Sequence, residues 1–299
     1  MAQSKQRILI TGATGLVGTP LCAALSTRGH SVCRLSRGTK GDYSWDVSAG
    51  QIDPAALNEV DVVIHLAGET VAQRWNTAAK ERILRSRVDG TKLLIDQLVQ
   101  QAKPPVFLCA SGISYYGISR EGHLDESATS GDGFLAEVTR QWESAVQPLV
   151  DVGGRVALLR TGIVLSKEGG ALAKMLPPFK FGLGGRIGSG TQMMSWISLP
   201  DLVGAYVFAV ENDLVEGPIN AVAPSPVTNL DFTKTLGSVI GRPTLFPIPN
   251  VVIKTLFGEM GQETVLSNLG VIPARLQQLG FEWQTPSLSA TLRTTIYQD

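Results

Sequence analysis

A doubly wound, mostly parallel α/β sheet of the Rossmann kind, followed by a small C-terminal substrate or lid region, is the fold this sequence predicts. Three observations predict it. An apolar run at 7–11 ends in Gly12-Ala13-Thr14-Gly15-Leu16-Val17-Gly18 and opens a helical pattern. Strand-like apolar runs then alternate with helical ones, the signature of βαβ units. Glycine is frequent, at 32 of 299 residues, as many tight βα turns require.

Taken in order, strands are expected at 7–11, 31–36, 62–66, 106–111 and 156–161. Helical patterns lie between them at 16–28, 77–101 and 134–150. Asn76 is placed to cap the second of these helices, because its side chain can accept from the first free N–H groups. Pro104-Pro105 ends that helix before the next strand. Residues 166–195 hold seven glycines (Gly169, Gly170, Gly182, Gly184, Gly185, Gly188 and Gly190) together with Lys174, Lys180 and Arg186. A loop of that length inside a compact domain points to function. A helix at 201–210 and a strand at 217–221 follow. From about Thr228 the chain reads as mostly helical, interrupted by Pro247, Pro249, Pro273 and Pro286. The expected division is 1–230 as a nucleotide-binding domain with the glycine-rich insert, and 231–299 as a small helical domain.

The glycine turn is built for a pyrophosphate. Gly12 permits the tight turn, Gly15 lets phosphate approach the backbone, and Gly18 lets the helix pack close to the strand. Thr14, Leu16 and Val17 complete the loop. The helix start then offers unpaired N–H groups and a positive dipole end to an anion. A dinucleotide fold that takes NAD carries an acidic residue about 20 residues beyond the glycines. Here the second strand ends Arg34-Leu35-Ser36-Arg37, with no carboxylate at that point. Arg34, Ser36 and Arg37 suit a 2′-phosphate, since arginine grips phosphate in a fork and stacks on adenine. Hydrogen bonds to a charged group contribute about 1.5–3 kcal/mol each, so one contact is enough to favour NADP(H) over NAD(H). The alternative is that both arginines are solvated surface charges. Asp46 comes later and could touch the adenine edge.

Net charge is zero, so nothing global suggests nucleic acid or a membrane surface. Cys22, Cys33 and Cys109 have no disulfide or metal spacing and read as small packed residues in a reducing compartment. No Cys/His/Asp spacing suggests a metal, and there is no Gly-x-Ser-x-Gly nucleophile elbow. The first seven residues lead straight into a strand, leaving no room for a signal or transit peptide. No apolar run approaches the ~20 residues needed to cross a bilayer. The expected location is the cytoplasm.

Thr11-Gly12-Ala13-Thr14-Gly15-Leu16-Val17-Gly18, then His65-Leu66-Ala67-Gly68, then Ser111 with Tyr115-Tyr116-Gly117, resemble the extended short-chain dehydrogenase/reductases, the relatives of nucleotide-sugar epimerases. Arg74-Trp75, Ser86-Arg87, Gly182-Leu183-Gly184-Gly185, Gly188-Ser189-Gly190, Ser195-Trp196-Ile197 and Pro273-Ala274-Arg275-Leu276 are similar to one atypical branch. That branch comprises epimerase-family proteins with a small C-terminal domain, some named for cell division or chloroplast division. The resemblance spans nearly the whole chain. It implies cofactor contacts from Leu66, Ala67, Gly68, Arg87, Ser111 and Arg160.

The departures from the wider group are chemical. Its active members carry a Tyr-x-x-x-Lys pair, whose Tyr moves a proton and whose Lys lowers the Tyr pKa and holds the nicotinamide ribose. Aligned on Glu143, the corresponding positions here are Leu135 and Thr139. Arg87 stands where the group has a helper Asn, and of the usual four residues only Ser111 remains. Fold alone therefore does not settle function.

Ser111 is the candidate donor to a substrate oxygen, with Tyr115, Tyr116 or water as proton source, at the carboxyl end of a strand where such sheets bind ligands. The alternative places Tyr116 against cofactor and Tyr115 in the core. Glu69, Arg74, Trp75, Lys180, Arg186 and Trp196 are candidates for substrate contact, against packing for the tryptophans and solvation for the charges. Arg160 either reaches the pocket or pairs with a carboxylate. His65 is expected to pack or bond to backbone, His30 and His123 to lie at the surface or in turns, and Glu259 and Glu263 to form a solvated helix face. Three functions follow. The first is an NADPH-dependent oxidoreductase on a small carbonyl or sugar-like substrate. The second is a non-catalytic NADP(H)-dependent regulator, for instance of cell or organelle division, with a protein partner. The third is a nucleotide-sugar epimerase. Substrate, partner and oligomeric state (monomer or dimer) are open.

Overall fold

The computed structural model describes residues 5–298. Its central sheet has eight strands, in the spatial order Gly217–Ala221, Val156–Thr161, Val106–Gly112, Val62–His65, Arg7–Thr11, Ser31–Ser36, Tyr43–Asp46 and Gln51–Ile52. All neighbours run parallel except the last pair, which is antiparallel. From Arg7–Thr11 the chain winds first to one side, then returns to Val62–His65 on the other. The carboxyl ends of these two strands form the switch point at which such sheets bind ligands.

Alternation along the strands builds two cores. Ile8, Ile10, Val62 and Ile64 face a cluster with Leu21, Leu25, Leu159 and Tyr206. Leu9 and Val63 face the opposite cluster, with Leu35, Leu94, Phe107 and Trp142. A sheet covered on both faces explains why its strands read as continuous apolar runs.

The helices Gly18–Thr27 and Thr77–Leu98 stand where expected, and the Asn76 side chain accepts from Ala79 N at 2.8 Å. The third helical pattern is two helices, Phe134–Ser144 and Gln147–Asp151, the second opening with Pro148. The glycine-rich stretch is not all loop. It contains the helix Gly170–Lys180, whose Leu172, Leu176 and Phe179 are buried. Its two prolines and flanking glycines hide that spacing in the sequence.

A third core joins this helix to Asn229–Ile240 and Leu288–Tyr297 through Trp196, Phe232, Leu236 and Leu292. The strand Asn268–Val271, absent from the expected helical tail, pairs in parallel with Ser119–Leu124. Pairing between segments so distant in sequence has no local signal. Leu276 and Phe281 enter the core beneath the main sheet, so the 231–299 segment shares that core. His30 is buried at 7% exposure rather than at the surface, next to the N–H of Gln6, whereas His123 is exposed.

Candidate nucleotide-binding site

The glycine turn closes the switch point. Gly12 has φ of +68°, and a Cβ there would lie 2.9 Å from the backbone of Leu66. A Cβ on Gly18 would collide with the Gly12 carbonyl. Gly12, Gly15 and Gly18 leave backbone bare in this turn, and no side chain caps the helix Gly18–Thr27, whose N-cap is Val17. The cradle fits the pyrophosphate of a dinucleotide.

Thr11 and His65 hold the turn. Thr11 Oγ1 accepts from Leu66 N at 3.1 Å and Ala67 N at 3.2 Å, and lies 2.7 Å from His65 Nδ1. With both lone pairs engaged, its own proton goes to Nδ1, which leaves His65 protonated on Nε2. The ring is fully buried among Trp45, Phe107 and Trp142. Burial, with the nearby Arg87 charge, pushes its pKa down to about 3, so the imidazole is neutral. Neither residue was singled out for chemistry in the sequence, where Thr11 opens the glycine motif and His65 is expected to pack or bond to backbone.

At the end of strand Ser31–Ser36 the Arg34 guanidinium forks onto Asp42, with contacts of 3.2 Å and 3.0 Å. Ser36 donates to the Gly38 carbonyl. Arg37 is exposed and has no ion-pair or hydrogen-bond partner among the described residues. Asp46 binds Ser48 and the Ala49 N–H in a local turn that holds its pKa down.

The Arg87 guanidinium lies beneath Gly68, where a Cβ would come within 3.1 Å of its central carbon. It donates to the carbonyls of Glu69 and Ile83 and packs on Trp142. Burial lowers its pKa to about 10.

Ser111 begins a buried polar chain. Its hydroxyl donates to Glu143 at 2.6 Å, and Glu143 takes a two-point ion pair from Arg160 at 2.8 Å and 2.7 Å. Arg160 also donates to the Tyr116 hydroxyl at 3.0 Å, and Tyr116 donates to Asn220 at 2.7 Å. Asn220 in turn donates to the carbonyl of Ile272. Burial opposes the Arg160 charge, but Glu143 and Tyr116 more than offset it, so the guanidinium stays ionised. The Arg160 guanidinium stacks 3.5 Å from the centre of the Tyr115 ring.

Four sequence expectations are corrected by this geometry. Tyr116 is wholly buried with its proton committed to Asn220, and burial raises its pKa, so it is a core residue and not a proton source. The Ser111 hydroxyl is buried and donates to Glu143 in this structure, which opposes its acting as donor to a substrate oxygen. Trp196 is 1% exposed inside the third core and cannot touch a substrate. Glu263 is buried and caps the helix Phe134–Ser144, while Glu259 pairs with Lys80, so the two do not form a solvated face. Glu143, the hub of the network, was missed as a functional residue. An acid on the helix face shared by Leu135, Thr139 and Trp142 is the signal that could have found it.

On the helix Phe134–Ser144, Leu135 and Thr139 are both buried, and Thr139 Oγ1 bonds to Leu135 O and Ser114 Oγ. Tyr115 is half-buried, packed against the cluster of Tyr116, Leu124 and Val271, and its hydroxyl has no hydrogen-bond partner among the described residues. Among the substrate candidates, Trp75 packs edge-on to Phe134 and bonds to Val71 O, and Glu69 accepts from Gln73. Arg74 is exposed. Arg186 donates to the Gly188 carbonyl, and the exposed Lys180 gives its own carbonyl to Arg242. The structure does not bring Lys180 and Arg186 together with Ser111. Among the described residues no group of His, Cys, Asp and Glu is arranged for a metal, and no helix is long and apolar enough to cross a membrane.

A switch-point cradle lined by backbone defines a Rossmann-type α/β protein. Known proteins narrow the class. The NAD dependent epimerase/dehydratase family matches residues 8–138, and a domain of unknown function (DUF1731) matches residues 248–295. The human epimerase family protein SDR39U1 is 36% identical over 296 residues, covering 97% of this chain and 99% of that protein. An epimerase family protein of Mycobacterium bovis is 39% identical over 289 residues, covering 95% and 96%. The crystal structure of human SDR39U1 (isoform 2) with NADPH superposes with a TM-score of 0.88 at 35% identity, covering 97% and 98%. The chain belongs to the epimerase family typified by SDR39U1, a short-chain dehydrogenase/reductase family with a DUF1731 C-terminal domain.

Proposed function

We propose that this chain binds NADP(H) in the glycine cradle and is an oxidoreductase on a small carbonyl or sugar-like substrate. The observation that carries the reading is the cradle itself, in which Gly12, Gly15 and Gly18 present backbone alone at the switch point. The similar human protein was crystallised with NADPH, which supports the choice of cofactor. Arg37 and Ser36, with Arg34 once it leaves Asp42, would hold the 2′-phosphate. Surface ion pairs of that kind contribute little, so a phosphate can displace the carboxylate. Leu66, Ala67 and Gly68 line the cofactor, and Arg87 beneath Gly68 supplies a fixed positive charge to that edge.

NADPH held by the glycine turn, Ser36 and Arg37 would provide hydride chemistry toward a carbonyl carbon. The chain's own part is to orient the substrate and deliver a proton to its oxygen. Leu135 cannot do this, and Ser111 and Tyr116 have committed their protons elsewhere. Tyr115, with its ring stacked on Arg160 and its hydroxyl unpaired, is the side chain placed to supply the proton, with water as the alternative source. Glu69, Arg74 and Trp75 form the candidate substrate wall. An epimerase needs a group that both takes and returns a proton, and the Leu135 and Thr139 replacements disfavour that reading.

A second reading, a non-catalytic NADP(H)-dependent regulator that signals through a partner protein, is favoured by one specific observation: both positions of the usual Tyr-x-x-x-Lys pair are buried and non-ionisable.

Calorimetric titration with NADPH, NADP, NADH and NAD tests the cofactor. Preference for the phosphorylated pair is the expected result, and binding of none of the four overturns it. A panel of carbonyl compounds and nucleotide sugars then separates the readings. Turnover that falls in Tyr115→Phe supports the oxidoreductase; no turnover, with a partner captured in one cofactor state only, supports the regulator.

A further inference from the structure

Net charge is zero over the chain, but two stretches that meet in space contain no acid at all. Residues 170–192 carry Lys174, Lys180 and Arg186, and residues 232–258 carry Lys234, Arg242 and Lys254, with no Asp or Glu in either. None of these six makes an ion pair with a described residue. The stretches run side by side. Arg242 Nε donates to the Lys180 carbonyl at 2.8 Å, and Ile187 bridges in parallel to Ile248, with Ile248 N donating to Arg186 O at 2.8 Å.

Large apolar side chains stand out from the same two stretches. Phe181 is 80% exposed, Phe246 65% and Leu256 67%, with Leu183, Leu245 and Val251 similarly bare. The helix Asn250–Glu263 explains part of this. Its Gly258 leaves helical geometry at φ of 58° and ψ of −139°, so the helix is kinked there. Beyond the kink, Gly261 and Glu263 are packed against the body. Before it, Ile253 is the single buried residue from 250 to 257. At about 100° per residue, Val251, Val252, Thr255 and Leu256 fall on one arc of that half-helix, with Lys254 beside it.

An apolar arc with Lys254 beside it and no acid from 250 to 258 fits an interfacial segment, whose apolar face enters a headgroup layer while Lys and Arg meet anionic lipid; the next acid, Glu259, is paired with Lys80. We propose that this face docks on an anionic bilayer surface. The charge also argues against a second copy of the chain. A two-fold contact would put the same unpaired basic side chains against themselves, and like charges across an interface are costly. The proposal does not rest on the nucleotide reading, since none of its observations uses the glycine cradle.

The test is flotation of the full chain with vesicles of phosphatidylcholine alone and of phosphatidylcholine mixed with phosphatidylglycerol, at low and high salt. Binding to the mixed vesicles only, weakened by salt, is expected. Arg242→Glu with Lys254→Glu should lower that partitioning by about tenfold or more, given the per-residue attraction of basic side chains to an anionic surface. Phe246→Ser with Leu256→Ser should lower it as well. These four side chains are exposed, so the variants should keep the fold, and calorimetry with NADPH on the same samples reports the cofactor reading separately. Three outcomes overturn the proposal. One is failure of the wild type to float with anionic vesicles; another is equal binding to both vesicle types. The third is a dimer in sedimentation that Phe246→Ser with Leu256→Ser dissociates while vesicles go unbound, which would assign the face to a second copy.

Discussion

Glu263 accepts the backbone N–H groups of Phe134 and Leu135, both at 2.8 Å, across about 130 residues of sequence. A carboxylate at a helix N-terminus satisfies orphan donors and complements the dipole. The helix it caps carries Leu135, Thr139, Trp142 and Glu143, the residues around which the candidate site is organised. Gly133, just before it, has φ of +122° and lies against Glu263, so neither end of the contact tolerates bulk. The C-terminal region is thereby wired to the nucleotide-binding sheet.

Removing that cap should destabilise the whole chain. Glu263→Ala is expected to cost about 1–2 kcal/mol, read as a lower urea midpoint. Unchanged stability would mean that water replaces the carboxylate without penalty.

The Arg34–Asp42 pair and Arg37 make opposite predictions for nucleotide binding. Arg37→Ala should weaken NADPH about tenfold, in keeping with loss of one charge-assisted contact, and leave NADH nearly unchanged. Asp42→Asn releases Arg34 and should strengthen NADPH. Calorimetry on both variants checks this; equal effects on NADPH and NADH would remove the 2′-phosphate from this corner.

The Ser111–Glu143–Arg160 chain predicts a split between stability and chemistry. Glu143→Gln leaves a buried guanidinium without its counter-charge and should cost about 3 kcal/mol. Tyr116→Phe strips Asn220 of a buried donor and should cost about 1–3 kcal/mol. Tyr115→Phe should leave thermal stability near the wild-type value and abolish carbonyl reduction. A stable Tyr116→Phe that loses turnover would reverse the assignment.

His65 sets a pH dependence. In the folded chain its pKa is about 3, against about 6.5 when unfolded. Below pH 6.5 the unfolded chain takes up a proton that the folded chain refuses. Stability is therefore fully present above that value and falls as pH drops toward 3, by up to about 1.4 kcal/mol per unit. His65→Asn keeps an acceptor for Thr11 and should flatten this slope. Denaturation from pH 7 to 4 measures it, and parallel slopes for the two proteins would refute the assignment.

Much of the fold was legible because its signals are local. Strand 7–11, its glycine turn and the following helix are written in consecutive residues, as are the apolar runs of a sheet covered on both faces. Asn76 caps its helix through a partner three residues away. The helix Gly170–Lys180 was hidden by its own prolines and glycines, and the short strands Tyr43–Asp46 and Gln51–Ile52 carry too few residues to show a period.

What the sequence by itself determined is the winding of the sheet, the position of its switch point, and the loss of the Tyr-x-x-x-Lys pair at Leu135 and Thr139. Tertiary structure alone decided which polar groups are free. Tyr115 and Tyr116 are neighbours of one chemical type, yet one hydroxyl is buried on Asn220 and the other is unpaired. Arg160 meets Glu143 across 17 residues, and Glu263 meets Phe134 across 129. A zero net charge likewise conceals that the acid-free stretches 170–192 and 232–258 meet in space. Local propensity and periodicity act over a few residues, whereas hydrogen bonds, ion pairs and surface patches depend on which distant segments the core brings together.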